Sequence, residues 1–192
     1  TMLADAIYSD LRQKMAIVEE TKILYGAGSA SNEPDGVTTT ASAFTLTSLS
    51  TNSPTNEDCI NAALVQLETL NHMGNFVAMN PVDYGNMKIE KDDNGRPIIA
   101  ADRPGIGGLP VIKTNAITAG YLLVGDMDKM KLRNASDLKI VMGYNLTGDF
   151  GKSIVSIRAT REIIFYVPSQ NQNAFVYDTF ENIKSAIEEV AA

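Results

Sequence analysis

The sequence predicts an α+β fold, and three observations carry the prediction. Apolar residues recur every three or four positions at both ends of the chain and again in its middle, which is the helical period. Short apolar runs separated by Gly, Pro and Asn fill the intervals and read as strands, for the most part antiparallel. The strict strand-helix-strand rhythm of a nucleotide-binding sheet is missing. At 192 residues, 44% hydrophobic and 20% charged, the chain can bury one core, or two small lobes sharing one, and is too apolar for general disorder.

The first helix is marked by Leu3, Ile7, Leu11, Met15 and Val18, with Asp5, Arg12, Glu19 and Lys22 between them, and ends near Gly26. Gly26, Gly28, Ser29, Ser31, Asn32, Pro34, Asp35 and Gly36 form a loop. Residues 37–52 are Thr, Ser and Ala with Phe44, Leu46 and Leu49 as the large apolar anchors, a composition that predicts a partly extended surface connection. Ser53-Pro54, and Thr55 with Asp58 three places on, start a second helix over about 54–73, whose buried stripe is Ile60, Ala63, Leu64, Leu67 and Leu70. Phe76–Met79 reads as a buried strand, and Asn80-Pro81 as the start of a short capped helix through Val82, Tyr84 and Met87. Asp93-Asn94-Gly95 signals a tight turn. Leu109–Thr114, Tyr121–Val124 and Leu138–Met142 read as short strands, Lys152–Val167 as one long extended segment stopped by Pro168. Asp178 with Glu181 caps a last helix that carries Phe180, Ile183, Ile187 and Val190.

The net charge of −7, with basic residues scattered along the sequence, argues against specific nucleic-acid binding and leaves only weak, salt-sensitive contact with DNA. No apolar run reaches the roughly 18 residues of a membrane span, so no membrane partner is expected. The single cysteine, Cys59, cannot form an internal disulfide.

Reactive chemistry is hard to assemble from these residues, and no catalytic, cofactor-binding or metal residue is assigned. Cys59 and His72, the one histidine, stand about 20 Å apart if both lie on one helix, too far for a nucleophile and its base. One thiol and one imidazole are too few for a transition-metal site. Asp92, Asp93 and Asn94 vaguely match a calcium loop but lack the closing glutamate, so a solvated hairpin tip is expected. Gly26-Ala27-Gly28 follows a helix and Gly105-Ile106-Gly107-Gly108 precedes a strand, the wrong context for a phosphate cradle. Glu19-Glu20 and Glu188-Glu189, beside Lys22 and Lys184, read as solvated helix faces. A well-ordered chain without a reactive centre is expected to work through its surfaces, as a structural protein and not an enzyme.

Seven segments in order carry a resemblance. They are Ile23-Leu24-Tyr25-Gly26-Ala27-Gly28, Val77-Ala78-Met79-Asn80-Pro81-Val82-Asp83-Tyr84, Lys91-Asp92-Asp93-Asn94-Gly95-Arg96-Pro97, Gly108-Leu109-Pro110-Val111-Ile112-Lys113-Thr114-Asn115, Gly120-Tyr121-Leu122-Leu123-Val124-Gly125-Asp126, Arg158-Ala159-Thr160-Arg161-Glu162 and Ala174-Phe175-Val176. Together they resemble the major capsid proteins of tailed bacteriophages, which have the HK-ninety-seven-like fold.

The resemblance implies a peripheral lobe of residues 1–50, with a spine helix, and return strands at 139–168. It implies an axial lobe of 51–138, with 169–192 assigned to it. The spine helix is expected to set Leu3, Ile7, Leu11 and Val18 on a sheet that includes the Ile154–Val167 strand. The implied function is a head protein of a phage or prophage that assembles through hexamers and pentamers into an icosahedral shell around double-stranded DNA. The implied partners are further copies of itself, a scaffold, a portal, a maturation protease and, non-specifically, the packaged DNA. An encapsulin-type compartment shell is the nearest alternative, and a small hydrolase or binding protein a more distant one. Family members carry an amino-terminal arm and an extended loop ahead of the spine helix, whereas this sequence begins at the helix, so a truncated or processed core is expected. Ser153 and Thr160 stand where some members have the asparagine and glutamate of an intersubunit isopeptide bond, so no such crosslink is expected.

Overall fold

The computed structural model describes residues 2–46, 48–91, 95, 108–143 and 155–188. Its centre is a four-stranded sheet in the order β2-β1-β3-β8, made of β1 (Phe76–Met79), β2 (Val111–Lys113), β3 (Tyr121–Gly125) and β8 (Phe175–Thr179). The β1–β3 and β3–β8 pairs are antiparallel, while β1–β2 is parallel, bridged by a crossover that contains α4 (Pro81–Ile89). The sheet is covered on both faces, which is why its strands read as unbroken apolar runs. On one face Val77, Met79, Leu122, Val124 and Val176 meet Cys59, Ile60, Ala63 and Leu67 of α3 (Asn56–Thr69), Met87 of α4, and Phe180, Ile183 and Ile187 of α5 (Phe180–Ile187). On the other face Phe76, Ala78, Leu123 and Phe175 pack with Leu24, Val37, Ile117, Phe165 and Val167.

The second helix starts as its capping residues predict. Thr55 Oγ1 accepts from the Asp58 amide (3.3 Å), and Asp58 Oδ2 accepts from the Thr55 amide (2.9 Å), so two otherwise unpaired donors are satisfied. The helix stops at Thr69, four residues short of the expected end, and Leu70 is exposed. Asn80 caps α4 by accepting from the Val82 amide (3.0 Å), with Pro81 at the first helical position. The last helix is capped differently from the expectation. Thr179 Oγ1 accepts from the Asn182 amide (3.1 Å), while Asp178 stays in β8 and its Oδ2 accepts from the Phe44 amide (3.0 Å).

The first helix, α1 (Met2–Tyr25), has the predicted length but not the predicted seat. Ile17 and Val18 are 54% and 51% exposed, Ile7 and Leu11 only half-buried, and the helix enters the core at Leu24. The expected apolar stripe therefore lies only loosely on the strands beneath it. At its end Gly26 is required, because a Cβ there would overlap the carbonyls of Lys22 and Pro34. The chain doubles back through an Ala27–Asp35 bridge and a short helix, α2 (Val37–Thr40), whose Val37 is buried. The extended connection then lies along β8, with Ser42 bridging Val176, and later Thr51 bridging Glu188. Thr47 lies outside the described residues.

The long extended segment ending at Val167 is two strands, β6 (Ser156–Thr160) and β7 (Ile163–Tyr166), each in its own antiparallel ribbon. β6 pairs with β5 (Lys139–Gly143), and β7 with β4 (Lys131–Asn134), a strand whose Lys-Leu-Arg-Asn sequence carries little strand signal. The break falls at Arg161-Glu162, where the Glu162 carbonyl accepts from both the Ala135 (2.9 Å) and Ser136 (3.1 Å) amides. Residues 152–154 at the start of the expected strand, and Val190 of the last helix, lie outside the described residues.

Candidate interaction surfaces

The two ribbons share one outward face. From 157 to 167 the odd-numbered residues are buried or half-buried and the even-numbered Arg158, Thr160, Glu162, Ile164 and Tyr166 are exposed, without a phase change across the break. That alternation is the period of the pleat continued through both strands. The ladders add Val141 opposite Arg158, Lys139 opposite Thr160, Arg133 opposite Ile164 and Lys131 opposite Tyr166. Four cations that are scattered in sequence thus stand on one surface with three apolar side chains, Val141, Ile164 and Tyr166, all 47–54% exposed. A two-stranded ribbon is marginal alone, and one that exposes large apolar groups on its open face is suited to being covered.

The inner face of the ribbons meets α1 through charge. Arg161 donates to both oxygens of Glu19 (2.7 and 3.0 Å) and to Asn134 Oδ1 (2.9 Å), joining the strand break to the helix. Glu19 is thus a partner in a largely covered ion pair and not part of a solvated face. Lys22 pairs with Glu33 of the following loop, and this ammonium together with the Ala27 amide holds the Glu33 carboxyl below its usual range. Between these two tethers the helix leaves a groove of about 300 Å³ over the sheet, lined by Ala16, Ile23, Leu24, Phe76, Ile112, Leu123, Met127 and Met130. Glu19, Glu20 and Thr114 are the polar side chains of its wall, and the rest of the lining is apolar.

Sequence reasoning missed the residue that holds the connection at 43–46. Gln66 is buried on α3, and its Oε1 accepts from the Thr45 (2.8 Å) and Leu46 (3.2 Å) amides while Nε2 donates to the Ala43 carbonyl (3.0 Å). A lone polar position inside the apolar stripe of α3 was the available signal.

The residues considered for chemistry are kept apart. Cys59 is fully enclosed, its Sγ contacting the Thr55 and Phe180 carbonyls (3.4 and 3.7 Å), and burial pushes its thiol up to about 11. His72 lies past the end of α3 and is half-buried, so the two do not share a helix. Among the described residues no three His, Cys, Asp or Glu side chains are grouped to hold a metal ion. Asp92, Asp93 and Asn94 lie outside the described residues, as do Gly105, Ile106, Gly107, Glu189 and Ser153. Gly26 and Gly28 belong to the turn after α1, and Thr160 stands on the outward ribbon face opposite Lys139.

The family model described as the phage capsid family matches residues 1–176. The chain belongs to the phage capsid family. It is 32% identical over 131 residues to the major capsid protein of Enterobacteria phage HK97, a match that covers 66% of this chain and 34% of that protein. The chain thus spans about a third of the length of the curated relative it matches. Among solved structures, that of Mycobacterium phage Adephagia superposes over the whole of this chain and 67% of its own with a TM-score of 0.71 at 13% identity. The capsid of an empty GTA particle covers 91% of this chain and 65% of its own, with a TM-score of 0.67 at 17% identity. These likenesses place the α+β fold among the HK-ninety-seven-like capsid folds.

Proposed function

We propose that the chain is part of a major head protein that assembles through hexamers and pentamers into an icosahedral phage or prophage shell around double-stranded DNA. The single observation that carries this reading is the match of the phage capsid family over residues 1–176. The mixed charged and apolar ribbon face supports it, as a surface suited to protein contact. The first partner is further copies of the same chain; scaffold, portal, maturation protease and non-specific contact with packaged DNA belong to the same reading. A compartment shell of the encapsulin type is the alternative, supported by a likeness to a virus-like particle from Pyrococcus furiosus at a TM-score of 0.52. The higher scores against phage structures favour the first reading.

The lobe division belongs to this proposal. α1 and the two ribbons form the peripheral lobe, and the four-stranded sheet with α3, α4 and α5 forms the axial lobe. The place of α5 in the α3 core supports the axial assignment of residues 169–192. The pairing of β4 with β7 supports drawing the return to the peripheral lobe near Lys131 instead of after Leu138. The Ser42 bridge to β8 supports drawing the first boundary near Ala41 instead of residue 50. Electron microscopy of the full-length gene product is the test. Closed shells are expected, and a product that forms only dispersed monomers, with or without a scaffold, overturns the reading.

A further inference from the structure

The groove under α1 has the build of a small-ligand site. Its floor is the sheet face that carries Phe76 and Ala78, one wall is the α1 face of Ala16, Glu20 and Ile23, and Met127 and Met130 stand at the turn between β3 and β4. Ile112 and Met127 are 39% and 44% exposed, so apolar surface at the groove is open to water. The two methionines are unbranched thioethers, which adapt to the outline of what packs against them. The volume of about 300 Å³ lies at the lower end of the range for small-molecule clefts. An apolar cavity of about 150 Å³ holds one benzene, so this groove has room for a body of about two rings.

The polar groups of the wall decide the charge of the occupant. Thr114 is buried, and its Oγ1 already accepts from the Ala116 amide (3.0 Å). Both oxygens of Glu19 accept from Arg161, and Lys22 is engaged by Glu33. Glu20 is exposed and forms no ion pair with a described residue. Among the described residues no cation lines the groove. The rim therefore presents one unpaired carboxylate beside an apolar floor, which attracts a cation and repels an anion.

We propose that the groove binds a small organic amine, with an apolar body of one or two rings on the sheet and its ammonium at the Glu20 carboxylate. Such a ligand touches α1 and the sheet at once, and so fastens down a helix that enters the core only at Leu24. The site is independent of the shell-subunit reading and stands or falls without it.

The probe is naphthylmethylamine, with naphthylmethanol and naphthylacetate as its neutral and anionic counterparts, each titrated calorimetrically into the chain. One amine per chain is expected, with a Kd on the order of 0.1–1 mM. The alcohol is expected to bind about three- to fivefold more weakly and the acetate more weakly again. Glu20→Gln is expected to bring the amine down to the affinity of the alcohol while leaving the alcohol unchanged. Ala16→Leu, which carries a larger side chain into the wall, is expected to weaken all three about tenfold or more. Both positions are exposed on α1, so both variants are expected to keep the parent's circular dichroism. Saturating amine is expected to slow hydrogen exchange in peptides covering 13–25 about threefold or more. No heat of binding up to about ten times that Kd overturns the proposal, as does an amine that binds no tighter than the alcohol, or binding that survives Ala16→Leu. Self-association of the chain that is lost in Ala16→Leu, with no amine bound, would assign the groove to a second copy and overturn it too.

Discussion

Cys59 shows how a group that looks chemical in the sequence becomes structural in the fold. Its thiol is enclosed between α3 and α5, and its ionisation in the folded state is displaced upward from 9.0 to about 11 by burial. A raised folded value means that the unfolded chain loses its proton first. The stabilisation from keeping this thiol neutral is complete below about pH 9 and is lost as pH rises toward 11. Denaturation across that window is expected to show a pH-dependent fall that Cys59→Ala reduces, and at pH 8 a thiol reagent should react only as fast as the protein opens. Replacing Cys59 and His72 together by alanine is expected to leave the fold intact, at a cost of about 1–2 kcal/mol from the space left at position 59. A hydrolytic or redox activity lost in that double variant would show that a reactive centre had been overlooked. Gln66 is the contrasting residue, since truncating it strands two amides and one carbonyl of the connection. Gln66→Ala is expected to cost about 1–3 kcal/mol and to speed proteolysis within residues 41–51, read by mass spectrometry of the first cut.

Elements were legible in proportion to how local their causes are. The start of α3 and the start of α4 follow from side chains within three residues, Thr55 with Asp58 and Asn80 with Val82, and both were readable. β1 and β3 were readable because burial on both faces writes itself as an unbroken apolar run. β4 was not, since Lys131–Asn134 is held by a ladder to residues about thirty positions later. The single long strand was also misread, because apolar alternation continues through Arg161-Glu162 while the hydrogen-bond partner changes there. The seat of α1 depended on distant residues in the same way. Its periodicity marks a potential face, but the covering strands reach the helix mainly through Arg161, and the core takes in only its last turn. Accordingly Leu24→Ala is expected to cost about 2–4 kcal/mol, whereas Val18→Asp should leave the melting temperature within a degree or two of the parent. Leu11→Asp, at a half-buried site, should fall between them, and a loss as large as that of Leu24→Ala would mean that α1 is seated in the core along its length and not only at its last turn.

At the scale of the whole molecule, the four-stranded sheet and the two ribbons differ in how much of their stability the single chain supplies. The sheet is sealed by α3, α4 and α5 on one side and by Leu24, Val37 and Phe165 on the other, so its amides open only with global unfolding. The β4–β7 and β5–β6 ribbons are paired once each and expose one whole face, so in the free chain they should open in isolation. Hydrogen exchange followed by mass spectrometry is therefore expected to protect peptides covering 76–79, 121–125 and 175–179 for far longer than those covering 131–143 and 156–160. In the shells proposed above the ribbon peptides should gain protection of about tenfold or more, since covering Val141, Ile164 and Tyr166 would remove apolar area from water and tie the strands to a neighbour. The net charge of −7 opposes that association between free copies, so in dilute, low-salt solution the chain is expected to scatter light as a monomer or small oligomer. Ile164→Glu, set on the exposed face between Arg133 and Tyr166, should leave the melting temperature of the free chain nearly unchanged yet abolish the protection gained on assembly. Full protection of the ribbon amides in the dilute monomer would show that the ribbons are stable without a neighbour, and would remove the ribbon face from the assembly surface.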